Sequence, residues 1–249
     1  MKALLDGDIF AYRCAASAEL GEEWVAIARL KELLENTLGE TEVDEYEVFL
    51  TGPGNFRYDL YPDYKANRRD KPLPVHLNAC LEYLKKEWEA VLCEGWEADD
   101  ALGMAQDGGT IICSIDKDLR QIPGKHYNFV KKEFDLITPA RGWYNFYSQL
   151  LIGDNSDNIK GVNGIGPVRA KRMLEGCQSE QELFDVVRSA YNDDARLLLN
   201  GRLMYVWRKM RDDWTFGLER LTAPDLDRLS ESMPLTEAET PVSTEHGTT

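Results

Sequence analysis

Apolar positions along the chain fall into two rhythms. Short runs rich in β-branched and aromatic residues stand at 2–5 (KALL), 46–51 (YEVFLT), 90–93 (AVLC) and 110–115 (TIICSI) and predict strands, with a further strand near 127–131. Between them the apolar residues recur at helical spacing. Trp24, Ile27, Ala28, Leu34 and Leu38 mark one helix over 24–38. Others are predicted over 9–18 and 75–89, from Glu97 onward, and briefly over 117–121. Strands alternating with helices predict an α/β fold around a mostly parallel central sheet. Beyond Gly142 only the helical rhythm continues, at 143–152, 167–176, 179–191 and 194–211. The expected organisation is an α/β domain over 1–142, a helical subdomain over 143–221 and an acidic tail from 222 to 249, disordered in its last twenty residues or so. Residues 51–74 (TGPGNFRYDLYPDYKANRRDKPLP) fit neither rhythm; their glycines and prolines predict a long loop or arch.

Charge narrows the picture. The 249 residues carry a formal charge of −15, which argues against binding a polyanion by bulk attraction. A local basic patch remains compatible with it, and a set of metal-binding carboxylates would itself push the balance this way. The five cysteines form no C-x-x-C pair and the three histidines lie far apart, so reduced thiols are expected and structural zinc is not. No run approaches the roughly 18–20 apolar residues of a membrane span, and no basic-then-apolar leader opens the chain. A soluble, cytoplasmic protein with no membrane partner is expected.

The acids are not scattered. Asp6 follows the first strand, Glu97, Asp99 and Asp100 follow AVLC, and Asp116 and Asp118 follow TIICSI. The carboxyl ends of parallel strands form the ligand crevice of an open sheet, so three strands deliver acid to one edge. Asp154 and Asp157 add a fourth group in GDNSDN. Any one of these residues reads equally as a helix N-cap, and Asp99, Asp100 and Asp118 would suit first helical turns. Taken together they repel one another unless cations neutralise them. An oxygen-only donor set favours Mg2+ or Mn2+, and two such ions are a device for in-line displacement at phosphorus.

Two further stretches suit phosphate. GVNGIGPVRAKRML (161–174) places Gly161, Gly164 and Gly166 before Pro167 at an expected helix start, with Arg169, Lys171 and Arg172 close behind. Glycines admit close approach of backbone N–H groups, and a helix N-terminus adds positive potential. A helix–hairpin–helix turn used only for packing is the other reading. The segment YKANRRDK (64–71) sets Lys65, Arg68, Arg69 and Lys71 beside Tyr58, Tyr61 and Tyr64, which pairs phosphate contacts with rings that stack on bases; a solvated loop is its plainer reading.

LLDGDIFAYR, YPDYKANR, EGWEADDALG, SIDKDLRQI and GDNSDNIKGVNGIGPVRAKRML, in this order, resemble the 5′-nuclease (flap endonuclease) superfamily, especially bacteriophage 5′-3′ exonucleases and the 5′-nuclease domain of bacterial DNA polymerase I. The resemblance implies a PIN-like sheet, a helical arch over the active site and a helix-three-turn-helix element on duplex DNA. It also implies two divalent ions, Mg2+ or Mn2+, and a K+ ion is a candidate for the Gly161–Gly166 hairpin. Asp6, Glu97, Asp99 and Asp100 would surround the first ion, Asp116 would lie between the two, and Asp118, Asp154 and Asp157 would surround the second. Lys65 and Arg68 would act on the scissile phosphate, with Asp116 the third catalytic residue. Tyr64, Arg69, Gly161, Gly164, Gly166, Arg169, Lys171 and Arg172 would contact DNA.

Many relatives carry an aspartate just after the second strand, where this chain reads Phe49-Leu50-Thr51-Gly52. Asp8 is the nearest replacement, with helix capping as its alternative. The implied activity is 5′-3′ exonuclease or flap endonuclease on duplex DNA with a 5′ end, nick or flap, or on RNA–DNA hybrids, in replication, with a phage as one setting. The acidic tail would serve either solubility or a replication partner. A DNA-binding module without chemistry and a PIN-like RNA nuclease are the rival readings.

Overall fold

The computed structural model describes residues 1–218; the tail assigned to 222–249 lies outside them. Strands β1 (Lys2–Asp6), β2 (Glu45–Thr51), β3 (Val91–Cys93), β4 (Thr110–Cys113), β5 (Gly124–Asn128) and β6 (Glu133–Ile137) form one sheet in the order β3-β2-β1-β4-β5-β6. The first five run parallel and β6 returns antiparallel to β5. The fold is thus the expected α/β class with a mostly parallel sheet. Successive strands grow outward from β1 to β3, and the chain then crosses to β4 on the other side. The crevice of such a sheet opens at that switch, between the carboxyl ends of β1 and β4.

Helices α1 (Gly7–Ser17), α2 (Glu23–Thr41) and α4 (Leu77–Glu87) cover one face, burying Phe10, Leu30, Leu34 and Leu84 against Leu5, Val48 and Ile111. Helix α5 (Ala98–Ala105) covers the other, where Leu102 packs on Leu4 and Ile112. The alternation within β1 and β4 sends neighbouring side chains to opposite cores, which is why these strands read as unbroken apolar runs. Helices α6 (Pro139–Ile152), α7 (Pro167–Leu174), α8 (Glu180–Tyr191) and α9 (Asp194–Met204) build a third core around Phe146, Phe184 and Trp214. That core also takes Tyr61 and Tyr64 from the 51–74 segment, which holds one short helix, α3 (Phe56–Leu60), and a 3-10 turn at Ala66–Arg68.

Three expectations shift. β4 ends at Cys113, releasing Ser114 and Ile115 to the crevice, and α9 ends at Met204. The strand placed at 127–131 lies at 124–128, with β6 as an unanticipated partner.

His126 of β5 is buried, its Nε2 2.8 Å from the Ile122 carbonyl, and burial lowers its pKa below the usual 6.5. The unfolded chain therefore binds more protons than the folded one as pH falls through that range, and stability is lost on acidification. Thermal unfolding between pH 8 and pH 5.5 is expected to fall more steeply for the wild type than for His126→Gln.

Candidate active site

Asp6 closes β1 and caps α1, accepting the Ile9 N–H at 3.3 Å through one oxygen and the Ser114 hydroxyl at 2.6 Å through the other. Both readings of this aspartate, cap and crevice acid, thus fall on one side chain. Burial, followed by the nearby charges of Asp8 and Asp116, raises its pKa to about 7. Asp116 receives the Asp118 N–H at 2.8 Å, and its own N–H donates to Ser114 Oγ at 2.9 Å, so Ser114 ties the ends of β1 and β4 together.

Glu97, Asp99, Asp118, Asp154 and Asp157 line one cavity of about 20 Å³, room for a single water-sized particle or small ion. Burial and the surrounding acids Asp116, Asp6 and Glu97 hold Asp99 well above the ordinary carboxylate range. Burial together with Asp116 and Asp154 raises Asp118 to about 7. Glu97 would be raised by burial too, but Arg57 and Lys65 bring it below its usual value. Asp154 is likewise lowered against burial, by Lys117 Nζ at 2.7 Å and the Ser156 N–H at 2.7 Å. Asp157 is raised as well, by burial and by Glu97 and Asp154, against the pull of Lys65 and Arg68; burial and repulsion that the nearby cations do not offset at Asp99, Asp118 and Asp157 favour an added positive charge there.

The 51–74 segment supplies the cations. Lys65 pairs with Glu97 and Arg68 with Asp157, and the Arg68 Nε–H donates to Ser156 O at 2.8 Å. The Lys65 N–H donates to the Asp157 carbonyl at 3.0 Å, so the segment lies down on residues 155–158. Burial opposes the charge on Lys65, while Glu97 and Asp157 raise its pKa overall. Among the described residues no three Asp, Glu, His or Cys side chains stand at distances that would hold an ion. These lysine and arginine pairs occupy the carboxylates instead.

Two expected residues have other work. Tyr64, expected to stack on bases, is 1% exposed, and its hydroxyl, with one proton to donate, lies 3.0 Å from a carboxylate oxygen of Glu97 and 3.0 Å from one of Asp157. Its burial rules out stacking and makes it a strut between two carboxylates. Asp100, expected around the first ion, is turned inward: Arg57 grips it through two bonds of 2.6 and 2.9 Å, and the Trp207 N–H donates to it at 3.0 Å. Arg57 itself drew no attention in the sequence, though it is 2% exposed and also donates to the carbonyls of Leu203 and Tyr205, at 2.9 Å each.

Asp8 accepts the Thr51 N–H at 3.0 Å. A carboxylate therefore does stand at the carboxyl end of β2, carried there by α1. Asp8 and Asp116 line a neighbouring groove with Tyr12, Arg13 and Arg68.

In the hairpin, Gly153–Asp154 and Ile159–Lys160 pair as a two-residue ribbon, β7 with β8, before the turn into α7. Gly164 has φ +73 and Gly166 faces open space, with Arg169, Lys171 and Arg172 exposed nearby. Arg69 is exposed as well, and donates to the Pro62 carbonyl. Gly161 differs from its fellow glycines: a Cβ there would stand 2.3 Å from the Gly153 nitrogen, so the close backbone approach leaves no room for a side chain. Since every clashing atom is backbone, Gly161→Ala is expected to cost about 1–3 kcal/mol in urea unfolding, with Gly166→Ala near neutral.

Residues 2–146 match the family model described as the 5′-3′ exonuclease, N-terminal resolvase-like domain. The chain belongs to this family. Its relatives include DNA polymerase I of Thermus aquaticus, 31% identical over 254 residues, covering 91% of this chain and 30% of that protein. DNA polymerase I of Deinococcus radiodurans is 28% identical over 210 residues, covering 75% of this chain and 22% of that protein. The chain thus spans under a third of the length of either polymerase. The fold matches that of the phage T5 5′-exonuclease with bound zinc, with a TM-score of 0.62 at 17% identity, covering 93% of this chain and 97% of that one. It also matches a phage T5 flap endonuclease variant in a pseudo-enzyme-product complex with DNA and metal ions, with a TM-score of 0.58 at 17% identity, covering 92% and 96%. Among the described residues of this chain no helix is long and apolar enough to cross a membrane.

Proposed function

We propose that this member of the family is a divalent-metal-dependent 5′ nuclease that hydrolyses phosphodiesters near the 5′ ends of duplex DNA or RNA–DNA primers. The observation that carries the reading is the group of five carboxylates around a cavity of about 20 Å³, three of them, Asp99, Asp118 and Asp157, pushed upward by burial and by neighbouring acids. The donor set is all oxygen, which suits Mg2+ or Mn2+. Glu97 and Asp99, with Asp6 and Asp8 behind them, would hold one ion; Asp118, Asp154 and Asp157 would hold another; Asp116 would lie between. When bound, such ions activate water and offset charge on the departing oxygen.

The chain's own groups do the rest. Lys65 and Arg68 leave their carboxylate partners for the phosphate, where they offset charge growing on its non-bridging oxygens. Tyr64 keeps Glu97 and Asp157 in register. Arg169, Lys171 and Arg172 hold the duplex backbone beside the Gly164–Gly166 turn, where K+ would also bind. Products would carry a 5′ phosphate. The setting would be replication, in a bacterial cytoplasm or a phage-infected one, with any replication partner meeting the tail.

A second reading, a DNA binder without chemistry, draws on the Lys65–Glu97 and Arg68–Asp157 pairs that fill the centre. One assay separates the two. A 5′-labelled duplex is expected to release labelled nucleotides with Mg2+ or Mn2+ and to stay intact in EDTA. An intact duplex under both conditions, bound but uncut, favours the binder.

A further inference from the structure

The carboxylates of the centre are held unequally. Asp6, Glu97, Asp154 and Asp157 each accept at least two hydrogen bonds. The Asp118 side chain accepts one among the described residues, from the Gln149 amide of α6. Lys117, whose charge also bears on Asp118, is bonded to Asp154 instead. Asp118 opens the 3-10 turn Asp118–Gln121, where its N–H is fixed by Asp116. Without Gln149 its carboxylate would be free to turn about two bonds.

A glutamine amide has two ends, and only the NH2 end suits a carboxylate. The surrounding chain settles which end Asp118 meets. Gln121 is 0% exposed and lies against the extended residues after α9. Its Oε1 accepts the Val206 N–H at 3.1 Å, and its Nε2 donates to the Met204 carbonyl at 2.9 Å. The first backbone group can only donate and the second only accept, so the Gln121 amide has one orientation. The same Nε2 lies 3.4 Å from Gln149 Oε1. Gln149 therefore turns its carbonyl to Gln121 and its NH2 to Asp118, and it lines the cavity beside that aspartate. Both supports come from the helical subdomain, Gln149 from its first helix and Met204 and Val206 from the chain after α9.

We propose that Gln149 is a positioning residue for the ion that Asp118, Asp154 and Asp157 would hold: it fixes the Asp118 carboxylate before the ion arrives, and Gln121 sets the direction of its amide. The proposal rests on the metal reading above for what Asp118 holds. A carboxylate already in place spares the ion the cost of ordering it, and partners of this kind are worth about ten- to hundredfold in metal affinity.

The test is a Mn2+ titration followed by electron paramagnetic resonance, with thermal unfolding alongside, on wild type, Gln149→Met, Gln149→Asn and a control, Gln181→Met. Gln181 also donates to an aspartate, Asp185, at 2.9 Å, but on the exposed surface of α8. Gln149→Met keeps the length of the side chain and is expected to bind one of two ions about tenfold more weakly, with the other ion and the melting temperature unchanged. Gln149→Asn keeps an amide that falls one methylene short of Asp118 and should weaken the same ion, so the comparison still reports if methionine disturbs α6. Gln181→Met should match wild type. In single-turnover cleavage the Mn2+ concentration giving half the maximal rate should rise by the same factor, while the rate at saturating Mn2+ is kept. Wild type that leaves Mn2+ free, Gln149 variants that bind both ions as wild type does, equal weakening of both ions, equal loss in the Gln181 control, or a lower saturated rate at an unchanged Mn2+ requirement overturns the proposal. Should wild type bind two ions and the Gln149 variants lose one while no duplex is cut, the nuclease reading falls and the assignment of Gln149 stands. Should wild type cut duplex while the variants keep both ions, the assignment falls and the nuclease reading stands.

Discussion

If the proposed chemistry holds, an Asp116→Asn protein is expected to fold and to bind a 5′-ended duplex, with its cleavage rate in Mg2+ reduced on the order of a thousandfold. The size follows from position. Asp116 follows β4 at the switch of the sheet, its Oδ1 is fixed by the Asp118 N–H at 2.8 Å, and it bears on the charge of Asp6, Asp99 and Asp118 together. The amide keeps the hydrogen bond to Asp118 and the shape of the loop, so folding is retained. Thermal unfolding, duplex binding by anisotropy and single-turnover cleavage separate the outcomes. Cleavage within a few-fold of wild type would remove Asp116 from the chemistry.

Arg57→Met is expected to destabilise the protein by about 3–5 kcal/mol. The guanidinium and the Asp100 carboxylate are 2% and 0% exposed, so the charges are solvated by one another, by Glu97 through its N–H and its carboxylate, and by the Leu203, Tyr205 and Trp207 backbone. Deleting the cation strands a buried carboxylate. Burial opposes the charge on Arg57, but Asp100 and Glu97 overrule it and raise its pKa, so it stays charged throughout the accessible range. The pair also joins the root of the 51–74 segment to α5 and to the chain after α9, so a loss of order around Glu97 should accompany the loss of stability. Urea unfolding measures the first and hydrogen exchange of residues 203–207 the second. The double variant Arg57→Met/Asp100→Leu should recover much of the loss, since an apolar pair strands no charge.

How much of this was legible in the residues depends on range. β1, β2, β4 and the covering helices were read from local periodicity, because each buries whole runs or one clear stripe. β6 was missed because its alternation is inverted: Phe134 and Leu136 face solvent while Asp135 meets Arg120 and Arg141. α9 appeared longer because Tyr205, Val206 and Trp207 continue its apolar rhythm. They are extended and buried across Arg57 and Gln121 instead. The clustering of acids followed from strand ends alone. The inward turn of Asp100 did not, because its partner lies 43 positions away and the carbonyls that share Arg57 lie 146 and 148 positions away. Tyr64 misled for a related reason. A tyrosine among bases suggests stacking, and only the approach of residues 155–158 shows that its hydroxyl faces carboxylates. Asp8 at Thr51 was open in the sequence, where capping and replacement could not be separated; the bond to the Thr51 N–H places it at the end of β2.

The most direct measurement of whether these acids serve cations is a Mn2+ titration followed by electron paramagnetic resonance, on wild type and Asp116→Asn. Two ions bound per chain by the wild type, with at least one lost in the variant, is the expected result. A wild-type protein that leaves all Mn2+ free in solution, or a variant that binds as the wild type does, would contradict it.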